Sequence, residues 1–374
     1  MSTRLLALIS LFLLTGCIST TDGLAQPTAL CAPPGADSQP EAAADLYFVT
    51  TRLADCGGAT IAFGRLRARS PGFGYFAGAG PLLVEREAWL ARLRAQLPAQ
   101  GGPVLLYVHG YNNSFRDAID RAKRLRDLSA FGGPVIAFSW PSQARVSRYG
   151  WDEENALWTQ PYFDDLLLAL IREPKVSEVV LVAHSMGNRI ALRSLFEAER
   201  AEPSLAAAEI RKVILASPDV DRAIFERDYL TMLGRGLRRT TIYASRVDRA
   251  LRASWAVHGY VRVGDSGCRF VDVLRGRHRR RCFSASDPPP VPPPNVVVLE
   301  TSLVRGSLLG HSDFVENAIV RADLCRVLKG DRQFYEREPA GDPLTNVFFL
   351  VRPRTQPPPC PPRPEAAGRA SSSE

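Results

Sequence analysis

The chain has 374 residues, of which 45% are hydrophobic and 23% charged, and its formal net charge is +8. That composition is ordinary for a globular protein with a large core, and the length suits one main domain with short extensions. Part of the positive charge sits in Arg275-Gly276-Arg277-His278-Arg279-Arg280-Arg281. Such a run can attract phosphate-rich surfaces, but no zinc knuckle, RNA-binding signature or DNA-reading helix accompanies it. It reads as a solvated loop, and no nucleic-acid partner is expected.

Arg4 precedes an apolar run over 5–14, followed by Thr15-Gly16-Cys17. A basic start, about ten apolar residues and small residues at their end describe a secretory signal, too short to span a bilayer comfortably. Leu14-Thr15-Gly16-Cys17 resembles the lipobox of bacterial lipoproteins. The resemblance implies a signal peptide over 1–16, cleavage before Cys17 and a diacylglycerol on its sulfur. The alternative is a plain signal peptide with Cys17 left as a free thiol. Ile18, not an acidic residue, follows Cys17, and by the same resemblance this leans toward the periplasmic face of the outer membrane. Residues 17–43 are rich in small and polar residues and read as a tether, and 353–374 read as a disordered Pro-rich tail.

The chain has seven cysteines, and Cys17 apart they are Cys31, Cys56, Cys268, Cys282, Cys325 and Cys360. An even remainder in an exported chain suggests disulfides. Cys268 with Cys282 is the expected pair, pinching the base of the arginine-rich loop. No pair has metal-ligand spacing, so no metal is expected.

Between the two ends, over 44–352, short apolar runs alternate with helical patterns. Strands are predicted at 46–50, 104–108, 135–139, 179–183, 213–217, 241–244 and 296–299. Helices are predicted at 114–128, from 141 to about 171, at 186–199 and at 313–328. Ser114 and Asp117 make a capping-box-like start for the first of these. Strand and helix in alternation predict an α/β fold, a mostly parallel sheet with helices on both faces. A basic, Pro-rich insertion is expected at 259–294. In such sheets, sites lie at the carboxyl ends of the strands.

At one of those ends stands Val182-Ala183-His184-Ser185-Met186-Gly187-Asn188. It resembles the G-x-S-x-G nucleophile elbow, with Ala183 at the first small position. A turn from strand to helix this tight needs small neighbours. It lifts the Ser185 hydroxyl to a helix N-terminus, where free N–H groups favour developing negative charge. The Met186 N–H is expected to point into an oxyanion site. His311, in the loop after the last strand, is the expected general base; His258 and His278 are the rival downstream histidines. Two carboxylates compete to orient it. Asp248 follows the penultimate strand and is favoured, and Asp219 follows the strand before that. Asp219 or Asp221 is otherwise expected to cap a helix near Arg222. His109-Gly110-Tyr111-Asn112-Asn113 follows strand 104–108 and resembles the segment that precedes the oxyanion loop in many α/β-hydrolases. The Tyr111 N–H is the first choice of second donor and Asn112 the next, with His109 as a loop-fixing residue. Tyr149, Trp151 and Trp158 lie in 141–161, a stretch that reads as a cap over an acyl pocket or as an ordinary connection.

Together these stretches, with Val49-Thr50-Thr51-Arg52, Phe138-Ser139-Trp140-Pro141-Ser142, Ser217-Pro218-Asp219-Val220-Asp221, Tyr243-Ala244-Ser245-Arg246-Val247-Asp248 and Gly310-His311-Ser312, resemble a poorly characterised family of bacterial α/β-hydrolases, esterase- or lipase-like. The resemblance covers about residues 44 to 330. It implies the α/β-hydrolase fold and a serine hydrolase cleaving carboxylic acyl esters through Ser185, His311 and Asp248, by way of an acyl-enzyme. The substrate is then a small-molecule or lipid acyl ester. No metal or organic cofactor is required, and the membrane contact runs through a lipidated Cys17. A thioesterase, amidase or acyltransferase with the same triad is the nearest alternative, and a non-catalytic envelope lipoprotein scaffold the next. The sequence carries no signal for acyl length, leaving group or oligomeric state.

Overall fold

The computed structural model describes residues 46–58, 60–77, 80–129, 131–265, 268–269, 281–282, 292–304, 311–330, 336–340 and 346–353. The expected signal peptide, Cys17, the tether, the arginine run with His278 up to Arg280, and all but the first residue of the expected Pro-rich tail lie outside the described residues.

In chain order come β1 (Leu46–Asp55), β2 (Ala62–Ala77), β3 (Gly80–Val84), α1 (Arg86–Gln96), β4 (Gly102–Val108), α2 (Phe115–Ser129), β5 (Val135–Ser139) and α3 (Tyr149–Ile171). They are followed by β6 (Val176–His184), α4 (Gly187–Ala201), α5 (Pro203–Glu209), β7 (Lys212–Ala216), α6 (Arg222–Ile224), α7 (Leu230–Leu233), β8 (Arg239–Ala244) and α8 (Arg249–His258). The last elements are β9 (Cys268–Arg269), β10 (Arg281–Cys282), β11 (Val296–Glu300), α9 (Asp313–Glu316), α10 (Ala318–Lys329), β12 (Arg337–Pro339) and β13 (Val347–Leu350).

The main sheet has the order β12-β13-β11-β8-β7-β6-β4-β5-β1-β2-β3. From β13 through β1 every pairing is parallel, while β2, β3 and β12 are antiparallel additions at the two edges. Helices cover both faces, and this is the α/β-hydrolase fold. The central strands are continuous apolar runs because successive side chains enter different cores. Val104, Leu106 and Val108 of β4 pack with Val179, Leu181 and Ala183 of β6 in one core. Leu105 and Tyr107, with Val180 and Val182, belong to the other. Ser114 and Asp117 close the start of α2 reciprocally: the Asp117 carboxylate accepts from the Ser114 N–H at 2.8 Å, and Ser114 Oγ accepts from the Asp117 N–H at 3.2 Å.

Three features differ from the sequence reading. The sheet carries β2, β3, β12 and β13 beyond the expected strands. Much of β2 is exposed and alternates arginines at 65, 67 and 69 with smaller residues, so it lacks the unbroken apolar run that marks a central strand. The expected final helix is two, α9 and α10, because Asn317 caps the second: its Oδ1 accepts from the N–H groups of Ile319 at 2.8 Å and Val320 at 3.2 Å. The stretch after β5 is a single 3₁₀ turn leading into α3, a long helix against the sheet. Of its aromatics, Trp151 is exposed, Trp158 packs on Tyr162, and only Tyr149 packs on the loop that follows β4.

Candidate active site

β6 lies near the middle of the sheet and ends at His184. Ser185 follows with φ +52°, a left-handed conformation that costs a residue with a Cβ about 1–3 kcal/mol. The surroundings hold it there. The Ser185 N–H donates to Ala216 O at 2.9 Å. Its carbonyl accepts from the Asn188 N–H at 3.1 Å, the Asp219 N–H at 3.2 Å and Asn188 Nδ2 at 2.9 Å. Two glycines let the loop after β4 close on this turn. A Cβ at Gly187 would lie 2.4 Å from His109 O, and one at Gly110 would lie 2.6 Å from the Ser185 Cβ. The two loops interlock with no room for a methyl group at either position.

Ser185 is 3% exposed and its hydroxyl faces His311. Ser185 Oγ is 2.8 Å from His311 Nε2, and His311 Nδ1 is 2.7 Å from Asp248 Oδ2. The other oxygen of Asp248 accepts from the N–H groups of Ala250 and Leu251, both at 3.0 Å. Asp248 therefore caps α8 with one oxygen and orients the imidazole with the other. Burial acts to lower the His311 pKa, but the Asp248 charge and its hydrogen bond outweigh it and raise the ring above its ordinary value. In the neutral ring Nδ1–H donates to Asp248 and Nε2 accepts from the Ser185 hydroxyl. This geometry lets a serine lose its proton as it attacks an electrophile.

Asp219 sits one strand away and is fully engaged elsewhere. Tyr149 Oη donates to its Oδ2, and Ser254 Oγ donates to its Oδ1 at 2.6 Å. Arg189 and Arg262 approach at 3.5 and 3.4 Å. Burial opposes its charge, but Arg189, the two hydroxyls and Arg262 together hold its pKa below the usual aspartate value. Asp221, not Asp219, caps α6, its Oδ1 accepting from the Ile224 N–H at 3.1 Å. His258, the last residue of α8, bonds Glu153 Oε1 at 2.7 Å and Ser254 O at 2.8 Å.

The loop after β4 carries the second half of the site. Asn112, with φ +58°, donates its N–H to Asp152 Oδ2 at 3.2 Å. The expectation that Asn112 is a reserve oxyanion donor is therefore corrected: its N–H is already spent on a buried carboxylate. The Asn113 N–H donates to Ser142 Oγ at 3.1 Å. The N–H groups of Tyr111 and Met186 are engaged by no hydrogen bond among the described residues. His109 is buried and stacked on Trp140 with centroids 4.9 Å apart, its ring nitrogens facing Gly110 O and Trp140 O. Burial above all, then the charge of Arg52, drives its pKa well below the ordinary range.

Beneath these loops lies Arg52, buried, with every arm of its guanidinium in use. Nε donates to Ser139 Oγ at 2.9 Å, Nη1 to Gly64 O and Ser142 O at 3.0 Å, and Nη2 to Asn113 O at 2.8 Å. Burial pushes its pKa down to about 9, against the pull of Asp152. Arg52 thus ties β1, β2 and the loops after β4 and β5 into one frame. The sequence alone gives Arg52 no task and singles out neither Asp152 nor the Tyr149–Asp219 contact. An arginine two residues beyond the apolar run 46–50 was the available signal for the first. Asp152 is one acidic residue among several in a helix, with nothing to distinguish it. Among the described residues no group of three or more His, Cys, Asp or Glu side chains is disposed to hold a metal ion.

The family described as "Alpha/beta hydrolase of unknown function (DUF900)" matches residues 85–331. No curated protein matches the chain. Among solved structures, an esterase from Pyrobaculum calidifontis is similar at 16% identity and TM-score 0.23, over 40% of this chain and 59% of that one. The chain thus spans less than two thirds of that esterase's length. The esterase rPPE, solved as a double mutant, is similar at 13% identity and TM-score 0.29, over 63% and 76%. Esterases from the fungus Rhizomucor miehei are similar at 16% identity and TM-score 0.28, over 64% and 78%. None of these likenesses bears on what the chain does.

Proposed function

The chain belongs to this family of α/β-hydrolases, and from that premise we propose that it hydrolyses carboxylic acyl esters with Ser185 as nucleophile, His311 as general base and Asp248 as the carboxylate that orients the base. The observation that carries the reading is the unbroken line of two hydrogen bonds, 2.8 Å from Ser185 to His311 and 2.7 Å from His311 to Asp248. Ser185 Oγ attacks the acyl carbonyl carbon as its proton passes to His311 Nε2. The oxyanion is held by the N–H groups of Met186 and Tyr111. The tetrahedral species collapses, His311 protonates the departing alcohol, and Ser185 is left acylated. Water, activated by the same imidazole, attacks the acyl-enzyme and releases the acid. Asp219 supports the site from behind and takes no proton. Labelling with a fluorophosphonate probe, followed by hydrolysis of p-nitrophenyl esters of rising acyl length, tests this. Wild type should react in both assays and Ser185→Ala in neither. A wild-type chain that neither labels nor cleaves would end the reading in favour of a binding scaffold. Faster turnover of thioesters or amides would move it within the acyl-transfer class.

The same proposal places the domain at 44–352 on a tether that begins at a lipidated Cys17, at the periplasmic face of the outer membrane. Cys56 and Cys325 are each disulfide-bonded, and the backbone of β9 and β10 sets Cys268 opposite Cys282, which accords with an oxidising compartment. Mass spectrometry of the mature N-terminus checks the lipid. Release of a Cys17→Ser chain into the soluble fraction is the expected counterpart.

A further inference from the structure

We infer that His184, the residue before the nucleophile, is a positioning residue that clamps the backbone of His311 so that its ring meets Ser185. The inference rests on the proposed roles of Ser185 and His311. His184 is buried at the end of β6, and its Nε2 lies 2.9 Å from the backbone carbonyl oxygen of His311. A carbonyl only accepts, so the proton is on Nε2 and Nδ1 is bare. Nδ1 has no hydrogen-bond partner among the described residues, and it lies against Gly110: a Cβ there would be 2.9 Å from it. One face of the ring stacks on Phe314 of α9 at 4.8 Å, and the His311 ring is 4.9 Å away. One imidazole therefore touches the loop with the proposed oxyanion donor, the helix that follows the base, and both the backbone and the ring of the base.

The chemistry of the position suits a neutral imidazole. During the proposed reaction His311 becomes an imidazolium, and a charged neighbour would oppose that step. Burial first, then repulsion by His311, Arg121 and His109 wherever those groups carry charge, hold His184 well below the usual histidine range. Those three are the titratable or charged groups whose fields reach it most strongly. His311 itself faces Asp248, Asp219 and Arg121. An N–H fixed in one tautomer on a rigid ring is a directional donor with little entropy to lose. The His311 carbonyl it holds is the nearest backbone point from which the base can be aimed.

Two variants separate a clamp from mere packing. His184→Phe keeps an aromatic ring against Phe314 and removes the donor. His184→Gln loses the ring but places an amide N–H where Nε2 was. For p-nitrophenyl butyrate, His184→Phe should lower kcat between about ten- and a hundredfold with KM little changed, the scale of a slightly misplaced catalytic group. His184→Gln should recover most of the loss. Full activity in His184→Phe overturns the clamp, and so does equal damage in both variants in step with a lowered Tm. A second measurement needs no turnover: ¹⁵N-histidine spectra of the full chain, with the His184 signals identified by their loss in His184→Phe. They should show a neutral Nε2–H ring that does not titrate between about pH 5 and 9. An Nδ1–H tautomer, or a ring that titrates in that window, also overturns the clamp. If wild type neither labels at Ser185 nor cleaves any ester, the reading of the function fails, and the tautomer still judges the contact.

Discussion

Asp219 and Asp248 stand at the ends of neighbouring strands, both buried and each within reach of the same cluster of loops, yet they are used in opposite ways. Asp219 is surrounded: a tyrosine, a serine and two arginines consume its oxygens, and it joins the loop after β7 to α3, α4 and α8. Asp248 has one oxygen given to the start of α8 and one free to meet an imidazole. Burial alone does not choose the acid of such a site. What chooses it is how many other donors compete for the carboxylate. A carboxylate with all its lone pairs taken holds a fold together; one with a single oxygen left over can orient a base.

The deepest test of that contrast is Asp248→Asn. The amide keeps the size of the side chain but removes the charge that stabilises the imidazolium, and kcat should fall about ten-thousandfold. Asp219→Asn should do the reverse. Removing one partner of a buried charge cluster should cost about 3 kcal/mol of stability, read as a lower denaturant midpoint, while kcat falls by less than about tenfold. If Asp219→Asn silenced the chain as fully as Asp248→Asn, the division between the two would collapse.

Acidity divides them as well. In the proposed role His311 works as a base only when neutral, and its pKa is raised, so the acid limb of kcat/KM should lie above the usual 6.5. Asp248→Asn should move that limb to lower pH and Asp219→Asn much less. The signs for stability differ. The raised His311 contributes stability that is complete below its unfolded pKa and fades as pH rises through the folded one. The depressed Asp219 contributes stability that is present above the ordinary aspartate pKa and fades as pH falls through its own. Urea titrations of the two asparagine variants across pH should show those losses at opposite ends. The smallest effect is expected from Tyr149→Phe, which removes one donor to the Asp219 carboxylate and should cost about 2 kcal/mol with kcat within a fewfold of wild type. A large activity loss there would instead make the Tyr149 contact part of the chemistry.

The central strands were legible because burial on both faces writes itself as unbroken apolar runs, and the turn at Ser185 because a tight bend leaves room only for small neighbours. The edge strands were not, since β2 interleaves arginines with Leu66, Ala68 and Ser70 and its pairing is decided by β1 rather than by its own composition. The choice between Asp219 and Asp248 could be ranked from chain order. Its physical cause could not be read, because Tyr149, Arg189, Ser254 and Arg262 are scattered along the sequence and converge only in space. The same holds for Asn112, whose N–H is claimed by Asp152 from forty residues away.

Arg52 has a consequence for where this protein can be cut. It lies upstream of residue 85, where the family match begins, as do all of β1 and β2. A fragment trimmed to the matched span would strip β5 of one of its two neighbours, β1, and leave the carbonyls of Asn113 and Ser142 facing an empty hole where a cation had been. The stretch that sequence kinship recognises is smaller than the stretch that must be made for the protein to stand, and a gene shortened to the first should yield aggregate rather than enzyme.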